Sequence, residues 1–203
     1  MTSVITGDII HSQKVEPEIW LTVLKTELNE IGENPINWDI FRGDSFQLEI
    51  SDPLEALRTA IKIKASLKAI KEIDVRMAIG IGEKSHHSNT ITESNGSAFV
   101  YSGEQFEQLK KERQNLAISS PWTNFNRDMN LILKLSLIIM DNWSINSAVM
   151  VKIAMENPDK SQKELGELIG IKQNSVSNRL KRAYFDELIE ITNLYQTKLK
   201  ELL

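Results

Sequence analysis

Two aspartates stand where this sequence is best suited to chemistry: Asp8, in Gly7-Asp8-Ile9-Ile10, and Asp44, in Arg42-Gly43-Asp44-Ser45-Phe46. Each follows a glycine at the edge of an apolar, strand-like run. A pair of strand-edge carboxylates in one sheet offers the hard oxygen ligands that Mg²⁺ prefers, leaving waters and substrate phosphates to complete its shell. Metal held that way serves phosphoryl transfer, by activating a hydroxyl and stabilising the leaving oxygens. The competing reading is that both are turn residues accepting backbone hydrogen bonds. His11 and Ser12 follow Asp8 closely enough to reach a phosphate. His86-His87 sits in a polar stretch without a nearby third ligand and reads as solvated. The chain has no Walker-type glycine loop and no nucleophile elbow.

A second constellation spans Gln162 to Lys181. Leu165, Ile171, Val176 and Leu180 are spaced as the shared core of two short helices, Gly166 permits close approach and Gly170 supplies the turn. Between Lys172 and Arg182 lie Lys172, Arg179, Lys181 and Arg182 and no acidic residue. A plain helical hairpin explains the apolar positions; a helix-turn-helix also explains the acid-free run. Docked in a major groove, the second helix offers Gln173, Asn174, Ser175 and Asn178 to base edges, with Ser177 as a further candidate. The four cations would hold phosphates. One such module has a small footprint, so a homodimer on double-stranded DNA is expected, through Asn124 to Asp141 and Phe185 to Leu202.

The elements that must position these groups follow from periodicity. Ser3 to Ile10 is a buried strand, and Pro17 opens a helix with Ile19, Leu21, Leu24, Leu28 and Ile31 inward. Ile36, Trp38 and Ile40, then Phe46, Leu48 and Ile50, alternate with polar residues around a Gly-Asp turn, which predicts a hairpin with Asp44 near its tip. Ser51 or Asp52 caps a helix to about Ile70, with Arg58, Lys62, Lys64, Lys68 and Lys71 expected on its solvated side. Asp74 to Ile81 is a fourth strand. The order β-α-β-β-α-β predicts an α+β, ferredoxin-like domain, with an antiparallel sheet carrying both helices on one face. It also places the first strand beside the hairpin, which can bring Asp8 to Asp44.

Ser97 to Arg113 reads as a helix with Phe99, Phe106 and Leu109 inward, and Asn115 to Ser119 as a fifth strand. Beyond Pro121 every segment is helical: Asn124 to Asp141, Ile145 to Glu156, Gln162 to Ile169, Gln173 to Ala183 and Phe185 to Leu202. In the last, Leu188, Ile191, Leu194 and Leu199 share a side. Two domains are expected, residues 1–120 and an all-α helix-turn-helix domain over 121–203. A net charge of −4 argues against a chain that coats nucleic acid along its length, while allowing a local basic face. The absence of cysteine rules out disulfides and thiolate metal sites. With neither a signal-like start nor an unbroken apolar span, the expectation is a cytoplasmic protein without membrane contact.

Asp8-Ile9, Gly43-Asp44-Ser45-Phe46 and Val75-Arg76-Met77-Ala78-Ile79-Gly80-Ile81-Gly82 occur in the order seen in class III nucleotidyl cyclases and GGDEF diguanylate cyclase domains. Ser97-Ala98-Phe99-Val100-Tyr101, leading into Lys110-Lys111-Glu112-Arg113-Gln114-Asn115, resembles the last helix of a GGDEF domain. The resemblance covers about residues 3 to 118. It implies that Asp8, Asp44 and the Ile9 carbonyl hold Mg²⁺ or Mn²⁺, and it makes His11, Ser12 and Arg113 the nucleotide-contact candidates. Arg42 and Ser45 depart from the GGDEF signature, so no catalytic residue is assigned. In overall plan the chain resembles the SatD family, which joins a Gly-Asp-Ile start and an Asp-x-Phe-Gln turn to a C-terminal helix-turn-helix. These resemblances imply a DNA-binding regulator with a nucleotide-sensing or degenerate cyclase-like domain. The alternative is a metal-dependent nucleotidyl cyclase or nucleotidyltransferase under helix-turn-helix control.

Overall fold

The computed structural model describes all 203 residues as an α+β fold with one five-stranded mixed sheet and eight α-helices. The strands are β1 (Thr2–Ile10), β2 (Trp38–Phe41), β3 (Ser45–Ile50), β4 (Asp74–Gly82) and β5 (Leu116–Ser119). The helices are α1 (Pro17–Asn29), α2 (Ala56–Lys68), α3 (Ser97–Glu112), α4 (Thr123–Met140), α5 (Ile145–Glu156), α6 (Gln162–Ile169), α7 (Gln173–Ala183) and α8 (Phe185–Lys200). The sheet runs β2-β3-β1-β4-β5; β5 pairs parallel to β4 and every other pairing is antiparallel. Asp52 caps the turn ahead of α2 by accepting a hydrogen bond from Leu54 N. No helix is long and apolar enough to cross a membrane.

Strand alternation sends β1 side chains to two different cores. Ile5 and Ile9 join Phe46, Leu48, Val75, Met77 and Ile79 beneath α1 and α2, while Val4 meets Ala98, Phe99 and Ile91 under α3 on the opposite face. The third helix can lie that close because Gly80 and Gly82 face it: an added Cβ at Gly80 would collide with the Ala98 carbonyl and Ser102 N. The two helices of the β-α-β-β-α-β plan, α1 and α2, lie on one face, and α3, which that plan does not include, covers the other.

The main core runs on past residue 120. Phe125, Met129, Leu133, Leu137, Met140, Val151, Leu188, Tyr195 and Leu199 belong to the same buried cluster as the sheet. That second helical layer revises three assignments. The lysine row of α2 is not a solvated face: Lys64 is fully buried, 2.7 Å from both Asp74 and Asp141, and Lys68 donates to the Asp141 carbonyl at 2.7 Å. On α1 the inward positions are Trp20, Leu24, Glu27 and Leu28, whereas Ile19 and Ile31 are exposed. Buried Glu27 is compensated by Ser66 Oγ at 2.8 Å, Lys62 at 3.3 Å and Lys152 at 3.4 Å. On α8, Thr192 and Tyr195 are buried and Leu194 is exposed, because the Tyr195 hydroxyl reaches back to donate to the Pro53 carbonyl at 2.6 Å.

Candidate functional site

The hairpin tip is fastened to the end of β1. Asp8 lies opposite Ser45 in the β1–β3 register, and Ile9 N donates to the Asp44 carbonyl at 3.1 Å. Arg42 at φ 53° and Gly43 at φ 89° turn the hairpin through the left-handed region, which costs the arginine more than the glycine. After β1, His11 at φ 64° swings the chain into a short 3-10 turn over Ser12–Lys14. There Ser12 Oγ donates to Asp44 Oδ2 at 2.6 Å. Ile9, His11, Ser12, Gln13, Lys14 and Asp44 line a cavity of about 340 Å³.

Asp8 points to the α3 side of the sheet, opposite Arg76 on β4. Arg76 Nη1 donates to Asp8 Oδ2 at 3.4 Å, a long bond that leaves Asp8 Oδ1 and Arg76 Nε buried without hydrogen-bond partners. Burial raises the Asp8 pKa above its ordinary value; the Arg76 and Lys110 charges oppose that rise, and Asp44 and Glu107 add to it. A buried carboxylate oxygen lacking a donor, under the field of a second carboxylate, suits a hard divalent cation. Asp8 is not among the residues that line the Asp44 cavity; the two carboxylates are related by the Asp8–Ser45 register and by the field of Asp44 on Asp8, and a cation held between them would draw on Asp8, Asp44 and the Ile9 carbonyl.

Arg113 stands apart. It is the exposed, left-handed residue ending α3, at φ 56°, and lines a groove against Leu131, Lys134, Leu135 and Ile138 of α4 rather than the Asp44 cavity. The cations whose fields act on Asp8 are Arg76 and Lys110. Sequence reasoning passed over both. Arg76 shares its strand face with Ala78 and Gly80, so a long cation among small residues was the visible signal. Lys110 lies 4.2 Å over the Phe106 ring and 3.2 Å from Glu107.

At the other end of the chain, Ser161 and Glu164 form a reciprocal capping box that starts α6, and Gly170, left-handed at φ 69°, ends it. An added Cβ on Gly166 would lie 2.5 Å from the Ile171 carbonyl, so this glycine admits the turn itself. Met150, Ala154, Leu165, Val176 and Leu180 form a small core of their own among α5, α6 and α7. On α7 the buried residues are Val176, Leu180 and Ala183. Gln173, Asn174, Ser175, Ser177, Asn178, Lys181 and Arg182 are exposed, as is Lys172 just before the helix, and Arg179 is half-buried on its flank. None of the four cations has an ion-pair partner within the chain. At roughly 100° per residue, Asn174, Asn178, Lys181 and Arg182 project opposite the buried stripe. No protein-family model matches the chain, and no curated protein matches it.

Proposed function

We propose that the protein is a cytoplasmic DNA-binding transcriptional regulator in which residues 121–203 carry a helix-turn-helix, and that it belongs with the SatD family. The observation that carries this reading is the outward face of α7, where amides and unpaired cations stand together without an acid. Asn and Gln side chains suit bidentate contact with adenine, and unpaired Lys and Arg suit phosphates. Dimerisation would double the footprint, and the exposed Leu131, Leu135 and Ile138 on α4 supply an apolar stripe for it. The apolar face of α8 is spent inside the chain, which leaves α4 as the better surface.

The strand order β2-β3-β1-β4, with α1 and α2 on one face, supports a ferredoxin-like, cyclase-related first domain. In this reading that domain senses a nucleotide and divalent metal through Asp8, Ile9 and Asp44, with His11 and Ser12 at the phosphates. Selection of bound fragments from genomic DNA, followed by gel shift, tests DNA recognition. Arg182→Ala should weaken binding on all sequences and reduce the salt slope by about 1, whereas Asn178→Ala should relax preference at one base pair. Binding that ignores both substitutions would refute the reading.

A second reading, metal-dependent nucleotidyl transfer, is favoured by one observation, the unpartnered Asp8 oxygen under the field of Asp44. Incubation with each nucleoside triphosphate and Mn²⁺ should then yield a product that disappears in Asp44→Asn. Absence of product, or product unchanged in the variant, removes it.

A further inference from the structure

Ala154, Met155, Leu165, Leu180, Phe185 and Ile189 form the apolar floor of a cavity of about 430 Å³. Its walls come from α2, α5, α6, α7 and α8, so it sits where the small α5–α6–α7 core meets the main core. Phe185 packs against both clusters. The rim carries Arg58, Lys160 and Asp186, a net charge of one positive (two cations less one acid). Arg58 Nη2 donates to the Met155 carbonyl at 2.6 Å and its Nε lies 4.0 Å from Glu55, which leaves Nη1 without a partner in the chain. Arg58, Met155, Asn157 and Pro158 also line the neighbouring cleft, whose acids include Glu27, Glu30, Glu55 and Glu156, so the Arg58 guanidinium is shared between the two and Lys160 is the cation that belongs to this cavity alone.

We propose that this cavity binds a small amphipathic monocarboxylate, with its apolar body on the Leu165–Leu180–Phe185 floor and its carboxylate on Arg58 and Lys160. The volume falls in the range of small-ligand sites, which favour an apolar lining with few placed polar groups. A guanidinium with a free nitrogen is suited to a planar carboxylate. The bound molecule would tie α2 to α6 and α7, and so bias the placement of α7 against the sheet. That regulatory consequence rests on the DNA-binding reading; the site does not.

The test is calorimetric titration of the full chain with octanoate, octan-1-ol and octylamine. Octanoate should bind saturably at one site, with the alcohol and the amine each at least about tenfold weaker. Exposed Lys160→Gln, which leaves the fold intact, should weaken octanoate about tenfold, and Ile189→Trp should fill the cavity and abolish binding with an unchanged thermal midpoint. Amide exchange in α6 and α7 should slow when octanoate is added. No saturable octanoate binding, equal binding of octanol, or binding indifferent to both variants would overturn the proposal. Octanoate binding to a chain that fails to shift any DNA would uphold the site and remove only its regulatory role.

Discussion

Burial outweighs the help of Arg76 and Lys110 and raises the pKa of Asp8 above its ordinary value. A carboxyl whose folded pKa exceeds its unfolded value binds its proton more tightly in the native state. It therefore weakens the fold above both values and restores stability as pH falls through the folded pKa. Asp8→Asn should accordingly raise the thermal midpoint at pH 7, with the difference from the parent shrinking towards pH 3.5. Mn²⁺ should raise the midpoint of the parent and not of Asp8→Asn, as scanning calorimetry would show. Lys64 presents the opposite case, a buried cation whose two carboxylates compensate it. Lys64→Met keeps the volume but removes the closest cation of both carboxylates, leaving Asp74 with Lys68 and Val75 N and the part-exposed Asp141 with Asn115, and a loss of about 3 kcal/mol in urea unfolding is expected.

Among the elements, α3 and α6 show how short sequence features set placement. Gly80 lets α3 rest on the sheet, so Gly80→Ala must push the helix off or bend β4, at a cost of about 1–3 kcal/mol in denaturant titration. The same change should loosen Lys110 from the Asp8 neighbourhood. For α6 the capping box does the placing, and Ser161→Ala should cost about 1 kcal/mol. Because α6 belongs to the small core, that loss should speed amide exchange in α6 and α7 before it is felt in the sheet.

For the whole molecule, the continuity of the main core is the dominant fact. Phe125, Met129 and Leu133 of α4 pack with the sheet, Asp141 neutralises Lys64, and Tyr195 bonds the Pro53 carbonyl. A chain cut after Ser120 would expose that apolar face and leave Lys64 with Asp74 and no Asp141. It should fail to fold cooperatively, as heteronuclear NMR of residues 1–120 would reveal. Sedimentation offers a separate test of the α4 surface: Leu135→Glu should shift the protein to monomer with an unchanged fold, since Leu135 is exposed within the chain.

What the sequence determined by itself was the succession of elements and their ends. Period-two and helical spacing, Asp52, Gly170 and the prolines are local signals, and local hydrogen bonding and backbone preference act within a few residues. Asp44 at the hairpin tip beside β1, and the exposed acid-free face of α7, were legible for the same reason. What only the tertiary structure decided was which side of a helix lies inside when two layers cover it. Lys64, Glu27 and Tyr195 look like surface residues in the one-dimensional pattern, yet they are buried because partners between 10 and 142 positions away satisfy them. The company Asp8 keeps was decided the same way: Arg76 faces it through strand register, and Lys110 through the packing of α3 over Gly80. Long-range compensation of charge leaves no period in a sequence, since it depends on pairs of residues whose separation is fixed only by the fold.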